Sequence, residues 1–269
     1  MAYVNNYAPP LPAPGTIVLP SPNEPYDLNF CYPVKELETD RLKLVPYIPH
    51  IHAKAVYNAI TTYPQVMHFM PWPDFPTLRA FEEHMELKCR QDPGWCLFII
   101  LNKEGLTKED EANPDKIPNF LLGNLAYCNS STALSSLEIG FIIILPPYQR
   151  THVSSHAIGL LMNYALDMPK DGGLGVRRVQ WQAHASNKPS VKAAERLGFK
   201  MEGIIRQGVA TASSSRERIE RAIPTRRLTR SSGQTHGYAF CVLGRLGEWW
   251  AGADKAANGK EVKGKSELW

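Results

Sequence analysis

The chain has 269 residues, 43% apolar and 21% charged, with a formal charge of +4, which is the composition of a folded globular protein rather than a fibre, a coil or a disordered polymer. No run approaches the roughly 18 apolar residues of a membrane span, and the opening MAYVNNYAPPLPAPG lacks the basic-then-apolar order of a secretory signal, so a cytoplasmic protein without a membrane partner is expected. So small a positive charge gives no ground for a nucleic-acid partner.

Residues 1–35 are proline-rich and aperiodic, and read as an extended arm lying on the surface or on a partner. The folded domain is expected over 36–250. Its first strand is Leu42–Pro46, where apolar and polar residues alternate. Two helices follow: His50–Tyr63, with Ala53, Val56, Tyr57 and Ile60 at helical spacing, and Thr77–Cys89, with a threonine placed to cap it. Between them Phe69-Met70-Pro71-Trp72-Pro73 is aromatic and too rich in proline for either element. Trp95–Leu101, Asn119–Asn129 and Leu137–Leu145 predict three strands of an antiparallel meander, the first apolar throughout and therefore buried. Pro146-Pro147 ends the last of them. A helix over Val153–Met168, a strand over Val176–Ala183, a short helix over Lys188–Leu197 and a final strand over Tyr238–Leu243 complete the order β-α-α-β-β-β-α-β-α-β. An insertion at 208–236 collects Arg216, Arg218, Arg221, Arg226, Arg227 and Arg230, and reads as a solvated loop or a lid. The tail 251–269 is small, charged and loosely held.

Cys31, Cys89, Cys96, Cys128 and Cys241 are odd in number, scattered and without a C-x-x-C pair, so they read as reduced thiols. His152 and His156 share a helical face but lack a third ligand, and no metal site is expected.

The informative unit is the strand, sharp loop and helix from Leu137 to Met168. A helix N-terminus presents unpaired N–H groups and the positive end of the dipole, so it suits a pyrophosphate. In this order of elements the loop Gln149-Arg150-Thr151-His152-Val153-Ser154 resembles the Gln/Arg-x-x-Gly-x-Gly/Ala loop of the GNAT acetyltransferases, keeping the first residue and losing both glycines. Asn187-Lys188-Pro189-Ser190 and Leu197-Gly198-Phe199 resemble that superfamily's Asn-x-x-Ser segment and its closing Leu-Gly-Phe, and Gly203–Arg206 resembles the first strand of its terminal hairpin. Thr39-Asp40-Arg41-Leu42 is similar to the first strand of the ribosomal-protein (RimJ/RimL-like) branch.

The resemblance, over roughly 38–243, implies an α+β GNAT fold: a mixed, mostly antiparallel sheet with helices on both faces and a splayed parallel strand pair that holds the cofactor. It implies acetyl-coenzyme A as cofactor, bound by Gln149, Arg150, Thr151, His152, Val153, Ser154, Asn187 and Ser190. It also implies direct acetyl transfer to an amine in a ternary complex. Glu138 is the candidate base, acting through a water. Asn187 would hold the pantetheine arm and Ser190 would meet the sulfur; where many members carry a tyrosine acid this chain has Ala194, so Ser190 or a water would protonate the thiolate. A backbone N–H near Ile142 or Ile143 would meet the oxyanion. Phe69, Trp72 and Trp181 would line the acceptor entrance. Beside these roles stand plainer ones: a solvated carboxylate or an arginine's partner for Glu138, helix capping for Asn187 and Ser190, core packing for the aromatics. The acceptor is expected to be a small amine, with a protein α-amine or a non-catalytic coenzyme-binding protein as alternatives. Dimers are common in the superfamily.

Overall fold

The computed structural model describes residues 17–206 and 239–246. The run predicted to be a buried strand is β3 (Cys96–Asn102), and its two sides explain its uniform apolarity. Cys96, Phe98 and Ile100 enter a core on one face of the sheet, while Leu97, Ile99 and Leu101 enter a second core on the other. Around it, β1 (Leu37–Glu38), β2 (Leu42–Pro46), β4 (Leu121–Ser131) and β5 (Ser136–Ile144) pair antiparallel in the order β1-β2-β3-β4-β5. Next comes β6 (Arg178–His184), parallel to β5, and then β8 (Ala239–Leu246) and β7 (Lys200–Arg206), antiparallel to their neighbours. The eight strands make one mixed sheet in which a single neighbouring pair is parallel.

Helices cover both faces. On one side lie α1 (Pro49–Thr62), α2 (Leu78–Met85) and its π-helical continuation Glu86–Arg90. Thr77 caps α2 as its position predicted, its side chain accepting from the N–H of Ala80. Two single-turn helices, α3 (Lys108–Glu111) and α4 (Ile117–Phe120), precede β4. On the opposite face α5 (His152–Leu166) buries Val153, Ala157, Leu161 and Ala165, and α6 (Lys188–Arg196) buries Ala194. The core under α5 and α6 runs from Leu37 through β6, where Val179, Trp181 and Ala183 point inward, to Phe199. The core under α1 and α2 takes no residue from β6. There Arg178, Gln180, Gln182 and His184 present a polar strip, so that face of the sheet is open beside β5.

The described part of the arm lies on its own domain. Phe30 stacks on Tyr127, the Tyr32 hydroxyl donates to the Ser131 carbonyl, and the Tyr164 hydroxyl donates to that of Pro33. Arg206 pairs with Ala239, so the arginine-rich insertion leaves from the tip of the β7–β8 hairpin; its own residues and the tail lie outside those described. Among the described residues Cys31, Cys89, Cys96 and Cys128 are free thiols, no cluster could hold a metal ion, and no helix is long and apolar enough to cross a membrane.

Buried histidines make the fold acid-sensitive, and His52 is one of them. His52 is 2% exposed at the start of α1, where Nδ1 accepts the N–H of Ile48. Burial lowers its pKa from 6.5 to about 4. Because the folded value lies below the unfolded one, the unfolded chain binds more protons between these limits, and stability falls as pH drops from about 6.5 toward 4. The loss from this residue reaches about 3 kcal/mol. Glu138, whose folded pKa is raised, acts with the opposite sign, contributing stability at low pH that is lost as pH rises through its folded value. Denaturant titrations across pH 4–7 are expected to show a shallower acid loss for His52→Asn, which keeps an acceptor for Ile48; an unchanged slope would remove His52 as its source.

Candidate active site

The parallel pair is short. Ser136, Leu137 and Glu138 of β5 stand opposite Arg178, Val179 and Gln180 of β6, and beyond these residues the strands have no further pairs. β5 runs on to Ile144 and β6 to His184, so the two diverge into a cleft whose root is the Glu138–Gln180 pair.

A bulge shapes one wall of that cleft. The β4–β5 register steps from Ala126↔Gly140 to Asn124↔Ile143, leaving Phe141 and Ile142 opposite the single residue Leu125. Phe141 adopts a left-handed φ of 51°, and the Asn124 side-chain amide donates to its carbonyl at 3.0 Å. The bulge reaches Ile142, four residues past Glu138 and one of the two positions, with Ile143, at which a strand-borne N–H is expected. Its aromatic residue turns toward α1 and α2, with Trp72 stacked on it at 5.2 Å and Trp95 tilted against it at 4.2 Å.

Glu138 faces the open side and is 5% exposed. Its Oε2 accepts from Asn129 Nδ2 at 2.9 Å and from Gln180 Nε2 at 3.1 Å. Burial raises its pKa and the two amide donors oppose that rise. No ion pair joins it to Arg150.

At the far end of β5 the loop folds without its glycines. Gln149 Nε2 donates to the carbonyl of Ile144 at 2.9 Å, fastening the loop to the strand end. Thr151 caps α5: its hydroxyl donates to the Tyr148 carbonyl and accepts the N–H of Val153. His152 and Ser154, in the two glycine positions, lie in the first turn of α5, and the only left-handed residue of the loop is Arg150 at φ 62°. The lost glycines therefore cost no backbone strain. Val153 is buried and offers only its backbone. His152 stacks edge-on to His156 at 5.0 Å, and burial, with Arg41 and His156 nearby, lowers its pKa.

Asn187 caps α6, its Oδ1 accepting the N–H of Ser190 at 3.2 Å, and Ser190 Oγ accepts from Trp181 Nε1 at 3.1 Å. The three aromatics expected at the acceptor entrance are thereby separated. Trp181 lies on the α5–α6 face, packed against Phe199, because odd-numbered β6 residues point there. Trp72 is 3% exposed and belongs to the opposite core. Only Phe69 reaches the mouth of the cleft, half-buried and 5.6 Å from the His184 ring at the end of β6. Asn129, Gln180 and His184 carry no local sequence signal that marks them as site residues. The alternation of Val179, Trp181 and Ala183 with polar residues marked β6 as two-sided, but which strand its polar side would face is a tertiary fact. His84 also joins the α1–α2 side, against Trp72 and Phe75, with a pKa lowered to about 4 by burial.

A family model for the acetyltransferase (GNAT) domain matches residues 41–200, more than half of the chain. The chain belongs to the GNAT acetyltransferases. It is an acyltransferase of that family, whose members use acetyl-coenzyme A, and its sheet is the GNAT fold with the parallel β5–β6 pair. The fold is shared with solved structures of low identity. A probable GNAT-family acetyltransferase from Chromobacterium violaceum is 21% identical with a TM-score of 0.60, over 86% of this chain and 98% of that one. The microcin C7 self-immunity acetyltransferase, solved in complex with acetyl-CoA and AMP, is 16% identical with a TM-score of 0.55, over 77% of this chain and 93% of that one. A Salmonella typhimurium acetyl transferase that modifies the N-terminal serine of the 50S ribosomal subunit protein L7/L12 is 13% identical with a TM-score of 0.54, over 79% and 99%. No curated protein matches the sequence. In this GNAT domain the cleft root, the bulge and the α5 N-terminus stand in chain order along one strand and its following loop.

Proposed function

We propose that this GNAT protein transfers an acetyl group from acetyl-coenzyme A to a primary amine of a small molecule, by direct attack with both substrates bound. The observation that carries the reading is the buried carboxylate at the root of the cleft: Glu138 is the last residue of β5 paired with β6, four residues before the bulge at Ile142. The coenzyme supplies an acyl group activated as a thioester. On the protein side Glu138 takes a proton from the amine across a water, and a raised pKa keeps it basic enough to do so. An N–H at the Phe141–Ile142 bulge meets the negative charge that develops on the acyl oxygen. Ser190, held by Trp181, keeps its own hydroxyl proton for the departing sulfur, while the Nδ2 group of Asn187, outside the helix cap, serves the pantetheine arm. The first-turn N–H groups of α5 and the Arg150 guanidinium serve the phosphates.

Arg150→Ala is expected to weaken acetyl-coenzyme A binding by about 1 to 3 kcal/mol, the value of a hydrogen bond to a charged group, with kcat unchanged. Calorimetric titration of both proteins checks it, and equal affinities would dismiss the contact.

The contact of Phe69 with His184 across the cleft mouth supports a narrow acceptor entrance, and hence a small amine over a peptide. The RimJ/RimL-like branch rests on the resemblance of Thr39-Asp40-Arg41-Leu42, in which the Thr39 hydroxyl accepts the N–H groups of Arg41 and Leu42 and lies 3.3 Å from His156 of α5. Release of free coenzyme A, followed with polyamines and amino acids on one side and short peptides with free α-amines on the other, tests the acceptor class. Turnover confined to peptides would transfer the assignment to protein α-amine acetylation, and turnover with neither would leave a coenzyme-binding protein.

A further inference from the structure

Five polar side chains form a row across the open face of the sheet. Asn129 of β4 and Gln180 of β6 both donate to Glu138 Oε2. Gln180 in turn presents its Oε1 to Arg178 Nε at 3.4 Å, and Arg178 is held by a two-pronged ion pair to Glu202 of β7. Since β8 lies between β6 and β7, this last contact reaches over a whole strand. We propose that Gln180, its amide oriented by the Arg178–Glu202 pair, is a positioning residue that fixes Glu138 for its work as the base.

The argument is one of donors and acceptors. A glutamine amide can turn over, exchanging its NH2 and its oxygen. Turned the other way, Gln180 would set its oxygen against the Glu138 carboxylate and its NH2 against a guanidinium that has only donors, so both contacts would be repulsive. Arg178 thus selects the orientation that serves Glu138, and Glu202 selects the position of Arg178. Asn129 completes the grip from the other strand with a left-handed φ of 48°, a conformation asparagine tolerates better than most residues. Both donors meet Oε2. The other oxygen, Oε1, faces Gly140, where an added Cβ would come within 3.4 Å of it and 3.0 Å of Cys128 Sγ. One carboxylate oxygen is therefore anchored while the other borders the bare backbone just before the bulge. Asn129 and Cys128 on β4 and Gln180 on β6 bear directly on the ionisation of Glu138, with Arg178 and Glu202 behind them.

The inference rests on the reading of Glu138 as base, and the pH profile separates the two. Turnover needs the carboxylate ionised, so kcat/KM for acetyl transfer rises with pH through the folded pKa of Glu138. Gln180→Leu removes a donor to the ionised form and is expected to move this rise to higher pH. On the acid side kcat/KM falls roughly tenfold, as for one lost hydrogen bond to a charged group, with recovery on the alkaline side. Glu202→Asp, which keeps the charge at the far end of the row but shortens its reach to Arg178, is expected to move the rise in the same direction by less, and it stands alone as the test if Gln180→Leu does not fold. A uniform loss at every pH, or an unmoved rise in both variants, overturns the positioning role and leaves Glu138 as the base. A rise that persists in Glu138→Gln overturns the base itself.

Discussion

Replacing Glu138 by glutamine is expected to lower kcat by roughly 10²- to 10⁴-fold, the range for a lost general base, while leaving the affinity for acetyl-coenzyme A unchanged. The change is nearly isosteric, and an amide at 138 can still receive one hydrogen bond from Asn129 or Gln180 through its oxygen, so the sheet keeps its shape. The charge goes, and with it the group that accepts the amine's proton. Because the carboxylate is 5% exposed and costly to ionise there, the substitution is expected to hold or raise thermal stability near neutral pH. A fall in Tm together with kcat would point to a structural carboxylate instead. Steady-state kinetics beside thermal unfolding decides between these.

Gly123→Ala is expected to be the most damaging small substitution in the sheet. Gly123 has φ 155°, and a Cβ there would stand 2.0 Å from the backbone oxygen of Ile143. That oxygen is backbone and not the flexible end of a side chain, so β4 and β5 must move apart at the very register that sets the Phe141–Ile142 bulge. A destabilisation on the order of 3 kcal/mol or more is expected, as for other changes that break a special backbone conformation. Whatever protein remains folded should have lost acetyl transfer. Denaturant unfolding of the variant measures the first effect, and a cost below about 1 kcal/mol would mean that the strands yield there easily.

The order of the main elements was legible because its signals are local. Trp95–Leu101 announced a strand buried on both sides, and β3 is one; Thr77 announced a helix start and caps it. Misreadings occurred where tertiary packing decides. The pattern of Asn119–Asn129 predicts one strand, yet Pro118 opens a turn of helix, Ile117–Phe120, before β4 begins at Leu121. The two-residue β1 carries no period to detect. At the site, the loop from Gln149 and the cap at Asn187 could be found from residue order. The bulge could not, because nothing in Gly140-Phe141-Ile142-Ile143 marks a phenylalanine for left-handed backbone. Trp72 and Trp181 read alike as aromatic residues near a cleft. The alternation of β6 sends Trp181 to the α5–α6 side, where it supports Ser190, while the packing of the segment between α1 and α2 buries Trp72 in the other core against Phe141.

Titration of acetyl-coenzyme A into the purified protein by calorimetry, beside free coenzyme A, tests the central claim most directly. Saturable binding of one molecule per chain, weakened by Arg150→Ala and retained by Glu138→Gln, is the predicted result. Absence of binding by the parent protein would contradict it, and would mean that the cleft between β5 and β6 has kept the GNAT shape without the GNAT cofactor.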